Sequence, residues 1–120
     1  MRTAQGRELT VDVTAETTPS VLYDAVAIPG GDASAAFLAR WGHAEEFVKD
    51  QYRHCKPILA LGAAVATVEG YGIPSKLPDG SDDTGIVANE ESEFGDAIER
   101  FVSAIAAHRH FARQTDPPAV

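Results

Sequence analysis

The sequence is poor in several features that would point to a function at once. It contains one cysteine, one methionine and one tryptophan among 120 residues. The lone cysteine, Cys55, excludes an internal disulfide bond. No run of about 20 apolar residues is present to span a membrane, and the first residues lack the apolar stretch of a signal peptide. We therefore expect a cytoplasmic protein.

Basic side chains are also scarce, at 10 against 18 acidic ones, which gives a net charge of −8 with neutral histidines. Because proteins bind nucleic acids largely by neutralising phosphates with lysine and arginine, we expect no nucleic-acid partner. The same balance argues against an anionic membrane surface. The length suits one domain, and a hydrophobic fraction of 44% is that of a globular protein. Residues 1–120 are therefore predicted to form a single domain.

Three short apolar stretches predict the strands of an α/β fold with a mostly parallel sheet. They cover residues 21–28, 57–61 and 85–88, and such runs are typical of strands buried on both faces. Residues 8–13 alternate apolar and polar side chains, which predicts a half-buried edge strand. After residue 61 the chain passes through Gly62 directly into a helical stretch. That succession is typical of the C-terminal edge of an α/β sheet.

Apolar residues at helical spacing predict further helices. Asp32 or Ser34 is placed to cap a short helix, a second helix is expected over residues 43–54, and the clearest helix runs over residues 94–108. The side chains expected to face inward are Phe37, Leu38 and Trp41, then Ala44, Phe47, Val48 and Gln51, then Phe94, Ala97, Ile98, Phe101, Val102, Ile105 and His108. The charges expected to complement the dipole of the last helix are Glu90, Glu91 and Glu93 before it and His108, Arg109, His110 and Arg113 at its end, ahead of Asp116-Pro117-Pro118.

The turn at Gly62 is the place where many α/β enzymes carry a nucleophile. There a helix N-terminus and main-chain amides can stabilise an oxyanion. Glycine has no side chain, so we interpret Gly62 as structural. Cys55, the only thiol, lies between His54 and Lys56, whose charges would lower its pKa. It precedes the strand, however, at the edge opposite the usual active site, so we interpret Cys55 as non-catalytic.

Three weaker patterns suggest metal or anion binding as a hypothesis. The histidines suit no common ligand set in their spacing, so we expect no metal site from His43, His54, His108 or His110. Residues 79–83 cluster carboxylates but lack the twelve-residue calcium loop that ends in glutamate, so a solvated turn is expected. Pro29-Gly30-Gly31 brings main-chain amides to a strand end, which suits an anion as well as a simple exit from the sheet.

Three segments together resemble the C-terminal domain of large-subunit haem catalases: DAVAIPGG with the helical stretch after it, RHCKPILALG, and the closing AIAAHRHFARQTDPP. The resemblance runs from about residue 9 to the end, and the closing segment is its specific part. It implies a flavodoxin-like three-layer fold related to class I glutamine amidotransferases. Relatives in that wider superfamily carry a reactive cysteine at the position of Gly62 and a main-chain oxyanion contact near Gly30 and Gly31.

The resemblance implies a non-catalytic accessory domain that supports the stability and assembly of a catalase homotetramer. Haem and the decomposition of hydrogen peroxide would belong to the parent's core, so we expect no catalytic residue, cofactor or metal in this chain. Two alternatives stay open. One is a stand-alone stress or chaperone-like module with an exposed apolar sheet surface. The weaker one is a cysteine-dependent hydrolase or glyoxalase.

The resemblance also implies a departure at the start of the chain. The family domain begins with a strand, a helix and a second strand before the region that matches Arg2, so we expect an N-terminally truncated fold. In flavodoxin-like order the first strand is central. Its absence should leave two neighbouring strands unpaired inside the fold, and such an open edge invites self-association.

Overall fold

The described residues form an open three-stranded sheet flanked by four α-helices. The structure, a computed structural model, describes residues 1–3, 5–90 and 94–115. The strands are β1 (Val26–Ile28), β2 (Ile58–Leu61) and β3 (Ile86–Asn89), and the helices are α1 (Asp32–Arg40), α2 (Gly42–Arg53), α3 (Ala64–Gly70) and α4 (Gly95–Ala106). Short 3₁₀ helices cover Ser20–Leu22 and Phe111–Thr115. Within these ranges, no helix has the length and apolar character needed to cross a membrane.

Helices cover both faces of the sheet. The strands lie in the order β1-β2-β3, and both neighbouring pairs are parallel. Ile58 and Ala60 of β2 pack with apolar side chains of α2 and α3, whereas Leu59 packs with Ala97 of α4 on the opposite face. This alternation is the period of two that a strand imposes. The arrangement confirms the predicted α/β three-layer fold with a parallel sheet.

The described strands leave no gap inside the sheet. β1 pairs directly with β2, with Val26 opposite Ile58 and Ile28 opposite Ala60. The two segments hydrogen-bond to each other, so they are not both unpaired inside the fold, and the unpaired flank expected of at least one of them is the outer side of β1. The open flanks are the outer sides of β1 and β3.

No strand covers residues 8–13. Leu9, Val11 and Val13 are 38%, 51% and 51% exposed, and the ladder contact in this region is an isolated bridge between Arg2 and Glu8. The prediction of a half-buried edge strand was wrong because alternation describes side chains only. A strand also needs main-chain pairing with a neighbour, and residues 8–13 do not pair with the open outer flank of β1.

The apolar stretch 21–28 is a strand only in its last three residues. Its first part belongs to the 3₁₀ helix Ser20–Leu22, where Val21 and Leu22 are exposed. The carbonyl oxygens of Val21 and Tyr23 accept hydrogen bonds from the Lys56 ammonium at 3.0 and 2.5 Å. Because these carbonyls bind a side chain, they do not enter a strand ladder, and the predicted eight-residue buried strand was wrong.

The first two helices differ in how well their inner faces were predicted. In α2, Ala44, Val48 and Gln51 are buried as expected. In α1 the buried residue is Ala35, and Phe37 is exposed with its ring 5.7 Å from that of Trp41. Helix α1 also begins after Gly31 with no side-chain cap, so neither capping prediction for this helix holds.

The last helix, α4, is shorter and less buried than its sequence predicts. It ends at Ala106, and its buried residues are Ala97 and Ala104. Ile98, Val102 and Ile105 are 48%, 60% and 40% exposed, so about half of the apolar face is uncovered. His108 adopts a left-handed conformation with φ of 68°, which turns the chain away from the helix axis. The predicted roles of Glu91, Glu93 and Asp116-Pro117-Pro118 fall outside the described residues.

Candidate functional site

Two glycine-containing turns meet at the C-terminal edge of the sheet. Gly62 follows β2 with φ of +55°, and its N–H donates to the carbonyl of Asn89 at 2.7 Å. A Cβ atom on Gly30 would lie 3.2 Å from the carbonyl oxygen of Leu61 and 3.5 Å from the Cα of Gly62. The two turns therefore pack main chain against main chain, and a side chain at Gly30 would press on the carbonyl of Leu61.

The elbow at Gly62, where the resemblance places a nucleophile in relatives of the wider superfamily, has no side chain. Gly31, which follows Gly30, has φ of +127°, a conformation that L-residues rarely adopt, and its carbonyl accepts the N–H of Ala35 in α1. Neither turn supplies a thiol, hydroxyl, imidazole or carboxylate of its own at Gly30, Gly31 or Gly62. The assignment of these glycines to a structural role stays a prediction; glycine itself carries no group that could attack a substrate.

Cys55 lies at the opposite, N-terminal edge of the sheet, as expected from its position before β2. It is 1% exposed, and its carbonyl accepts the N–H of His110 at 2.7 Å. Burial raises the pKa of the Cys55 thiol, and the Asp83 carboxylate adds to that shift while Arg113 opposes it. The environment therefore favours a protonated, inaccessible thiol, whereas a nucleophile needs the thiolate.

A buried ion pair dominates this N-terminal edge. The Arg113 guanidinium donates from Nε to Oδ2 of Asp83 at 2.5 Å and from Nη2 to Oδ1 at 3.2 Å, and both side chains are almost fully buried. Nη1 donates to the carbonyls of Lys56 and Tyr52 at 2.8 and 3.3 Å. The guanidinium also lies 4.8 Å from the Tyr52 ring centre. Such bidentate pairing with added hydrogen bonds is what a charge needs in order to be buried.

Lys56 and His110 complete what we call the polar cluster, which comprises Lys56, Asp83, His110 and Arg113. Burial lowers the pKa of the Lys56 ammonium, and the nearby charge of Arg109 lowers it further. His110 Nε2 is 3.1 Å from the carbonyl of Ala104. Since a carbonyl only accepts, Nε2 carries the proton in this contact, and Nδ1 faces the Thr84 hydroxyl at 3.2 Å.

Gly85 makes room for the polar cluster. A Cβ atom at this position would lie 2.2 Å from Nη2 of Arg113 and 2.6 Å from the His110 ring. Its N–H also donates to Oδ1 of Asp83 at 2.9 Å. The absence of a side chain therefore lets the closing segment fold back over the start of β3.

The sequence patterns did not predict this cluster. Asp83 was placed in a solvated turn, which is correct for the exposed Asp79 and Asp82 but wrong for Asp83. His108, Arg109, His110 and Arg113 were assigned to the dipole of the last helix, yet they follow its end, and Arg113 is an internal ion-pair partner. The available signal was the run of four basic or histidine side chains in HRHFAR, because like charges placed so close together repel one another unless an acidic partner lies nearby.

The histidines do not converge. His43, His54 and His108 are exposed, and His110 is part of the polar cluster. Within the described ranges, no group of three or more histidine, cysteine or acidic side chains is arranged to hold a metal ion. The absence of a metal site stays a prediction.

The fold and the elbow together define a class: an α/β sandwich domain with a parallel sheet and glycine at the turn that follows β2. Comparison with protein families identifies the family within this class. The chain belongs to the family of C-terminal domains found in long catalases, whose model matches residues 3–115.

Individual relatives agree with the family match. The chain is 38% identical over 117 residues to the catalase HPII of Mycobacterium avium, covering 92% of this chain and 17% of that protein. It is 32% identical over 121 residues to catalase-2 of Bacillus subtilis and 29% identical over 120 residues to the catalase HPII of Pseudomonas putida, covering 95% and 100% of this chain. The chain spans 15% of the length of each of these last two proteins.

Proposed function

We propose that this chain is a non-catalytic domain of a long haem catalase, in which it supports stability and subunit assembly. Hydrogen peroxide decomposition and haem binding belong, in this proposal, to the catalase core. The observation that carries the proposal is the elbow, where Gly62 and the facing Gly30 offer main-chain groups alone. Membership of the catalase C-terminal family supports the choice of parent protein.

The uncovered face of α4 supports a role in assembly. Ile98, Val102 and Ile105 follow one another at spacings of four and three residues, so they form one apolar stripe on the helix surface. Contiguous exposed apolar surface of this kind commonly marks an interaction site. In a catalase the stripe would bury itself against the core or a neighbouring subunit.

Peroxide and haem assays on the purified chain test the non-catalytic part. The chain mixed with haem is expected to show no stoichiometric Soret band and no decomposition of hydrogen peroxide above the rate of free haem. A Soret band that co-purifies in stoichiometric amount, or peroxide turnover by the chain itself, would contradict the proposal.

A complementation assay tests the stabilising part. The chain is added to a long catalase that lacks its own C-terminal domain, and the half-life of peroxide decomposition at elevated temperature is measured. We expect the chain to lengthen that half-life and Val102→Asp to abolish the gain, because it places a charge in the apolar stripe. Ala39→Asp, on an exposed position of α1, is the matched control and should behave like the unmodified chain. An unchanged half-life with the unmodified chain would oppose the assembly role.

The apolar stripe of α4 is also compatible with the chaperone-like alternative, because a holdase binds unfolded chains through apolar surface. The two functions differ in selectivity. A chaperone-like module should suppress heat aggregation of an unrelated protein at a one-to-one ratio, whereas a catalase domain should not. Light scattering of that mixture distinguishes them.

A further inference from the structure

The outer edge of β3 has main-chain groups that point away from the sheet. In a parallel strand the N–H and C=O of one residue point to the same side, and successive residues alternate. The carbonyls of Gly85 and Asn89 accept from Ile58 and Gly62 on the β2 side, so residues 85, 87 and 89 face β2. Ala88 therefore directs both its N–H and its C=O outward, where the described residues provide no partner.

A groove of about 780 Å³ runs beside this edge. β3 forms one wall and the polar side of α4 forms the other, with Thr84 and His110 at one end and Asp96 at the other. Its volume lies in the range of about 300–1,000 Å³ that is usual for binding clefts. The groove is therefore wide enough to hold a ligand against the free main-chain groups of Ala88.

The charges around this groove favour a basic ligand. Arg100 pairs with Asp96 at 3.0 Å and Lys76 pairs with Asp82, so both basic side chains of the walls are already occupied. Glu99 on the α4 wall has no ion pair within the described part of the chain. The whole chain carries a net charge of −8, which adds to the attraction for a cationic partner.

We propose that this groove binds an extended peptide segment with basic side chains, by strand addition to β3. The main chain of the peptide bonds the outward N–H and C=O of Ala88, as in other cases where a peptide extends an open sheet edge. Basic side chains on the face toward α4 reach Glu99. The outward N–H and C=O of Ala88 match the N–H and C=O of an extended main chain, so the open edge favours a peptide.

A fluorescein-labelled peptide of alternating lysine and valine, seven residues long and capped at both ends, serves as the probe with the 120-residue chain. Fluorescence anisotropy is expected to show saturable binding that weakens with salt. Two N-methylated versions, one methylated at the valines and one at the lysines, test main-chain pairing without altering the protein. In an extended peptide only every second main-chain N–H faces β3. One methylated version should therefore bind at least about tenfold more weakly, and the other should bind like the parent peptide.

Protein variants locate the edge. Ala88→Pro deletes the outward N–H of β3 and should weaken binding at least about tenfold. Ala27→Pro makes the same change on the outer flank of β1 and should leave binding unchanged. Glu99→Gln should reduce the salt dependence of peptide binding. This variant introduces no proline, so its result does not depend on any local distortion of β3.

Three results would overturn the proposal. The first is a lack of saturable binding up to millimolar peptide. The second is equal binding of the two methylated peptides, which would indicate attraction by charge alone. The third is a loss of binding in Ala27→Pro with none in Ala88→Pro.

Discussion

Individual side chains at the N-terminal edge of the sheet hold charges away from water, and their surroundings set what each substitution costs. Arg113 donates to both oxygens of Asp83 and to two main-chain carbonyls. Removing one partner of such a pair leaves the other charged and desolvated. A surface pair such as Arg100 and Asp96 has no comparable penalty, because water replaces the lost partner.

Arg113→Met is therefore expected to destabilise the chain by about 3–5 kcal/mol, because it leaves Asp83 as an unpaired buried charge. Arg100→Met makes the same chemical change in an exposed pair and should cost less than about 1 kcal/mol. Urea unfolding followed by circular dichroism measures both. Similar losses in the two variants would contradict the assignment of Arg113 to a buried pair.

The thiol of Cys55 gives a prediction for pH. Burial raises its pKa above the ordinary value of 9.0 in the folded chain. As pH rises above 9.0, the unfolded chain loses this proton while the folded chain keeps it. The contribution of Cys55 to stability is thus fully present below 9.0 and is lost as pH rises through the folded-state pKa.

Urea unfolding from pH 7 to 10.5 tests this by comparing the unmodified chain with Cys55→Ala. The variant is expected to lose less stability with rising pH, whatever its stability at pH 7, because it lacks the titrating group. Parallel pH profiles would show that the thiol ionises as easily in the folded state as in the unfolded one. Thiol labelling at pH 7 is an independent check, and the native rate should be at least about tenfold below that of the unfolded chain.

At the scale of elements, local sequence predicts a turn or helix when the residues that determine its conformation lie within that element. The elbow after β2 was predicted from a short apolar run followed by Gly62, and the structure confirms the strand, the turn and the helix. Helix α2 was likewise predicted to within one residue at each end. In both cases the residues that make the element also contain the signals that start and stop it.

Elements held by distant residues could not be predicted in this way. The stretch 21–28 is only partly a strand, because Lys56 bonds its carbonyls from 35 residues away. The closing segment folds back because Arg113 reaches Asp83 across 30 residues. Periodicity and dipole arguments contain no information about such contacts. For the same reason the sequence predicted the elbow, whose residues are adjacent, and did not predict the polar cluster, whose residues are distant in the chain.

Gly85 is the position where the closing segment and the sheet compete for space. Gly85→Ala places a methyl group against the His110 ring and the Arg113 guanidinium, so we expect a loss of at least about 1–3 kcal/mol from overpacking. Gly70→Ala, at the end of α3 with no atom within 4 Å of the new Cβ, should be neutral or stabilising by up to about 1 kcal/mol. Thermal unfolding of both variants measures the difference. A neutral Gly85→Ala would mean that the closing segment does not pack on β3.

At the scale of the whole molecule, the three strands of the described residues leave two open sheet edges that differ in character. The edge of β3 adjoins a groove with charged walls. The edge of β1 adjoins a largely apolar pocket of about 340 Å³, lined in part by Tyr23, Trp41 and Phe47. Val26 donates to Pro57 on the β2 side at 3.1 Å, so the N–H and C=O of Ala27 point outward beside that pocket. Unpaired strand edges next to apolar surface readily pair with another chain.

We therefore expect the isolated chain to self-associate through β1 as its concentration rises. Ala27→Lys should reduce this association, because a charged side chain on an exposed edge strand opposes pairing between copies. Ala88→Lys places the same charge on the outer edge of β3 and should leave it unchanged. Sedimentation velocity and light scattering over a hundredfold concentration range compare the three chains. A monomer at every concentration in the unmodified chain, or equal effects of the two lysines, would show that the edge of β1 is not the associating surface. Association that persists in both variants would instead point to the apolar stripe of α4, since Ile98, Val102 and Ile105 form the other large exposed apolar surface described above.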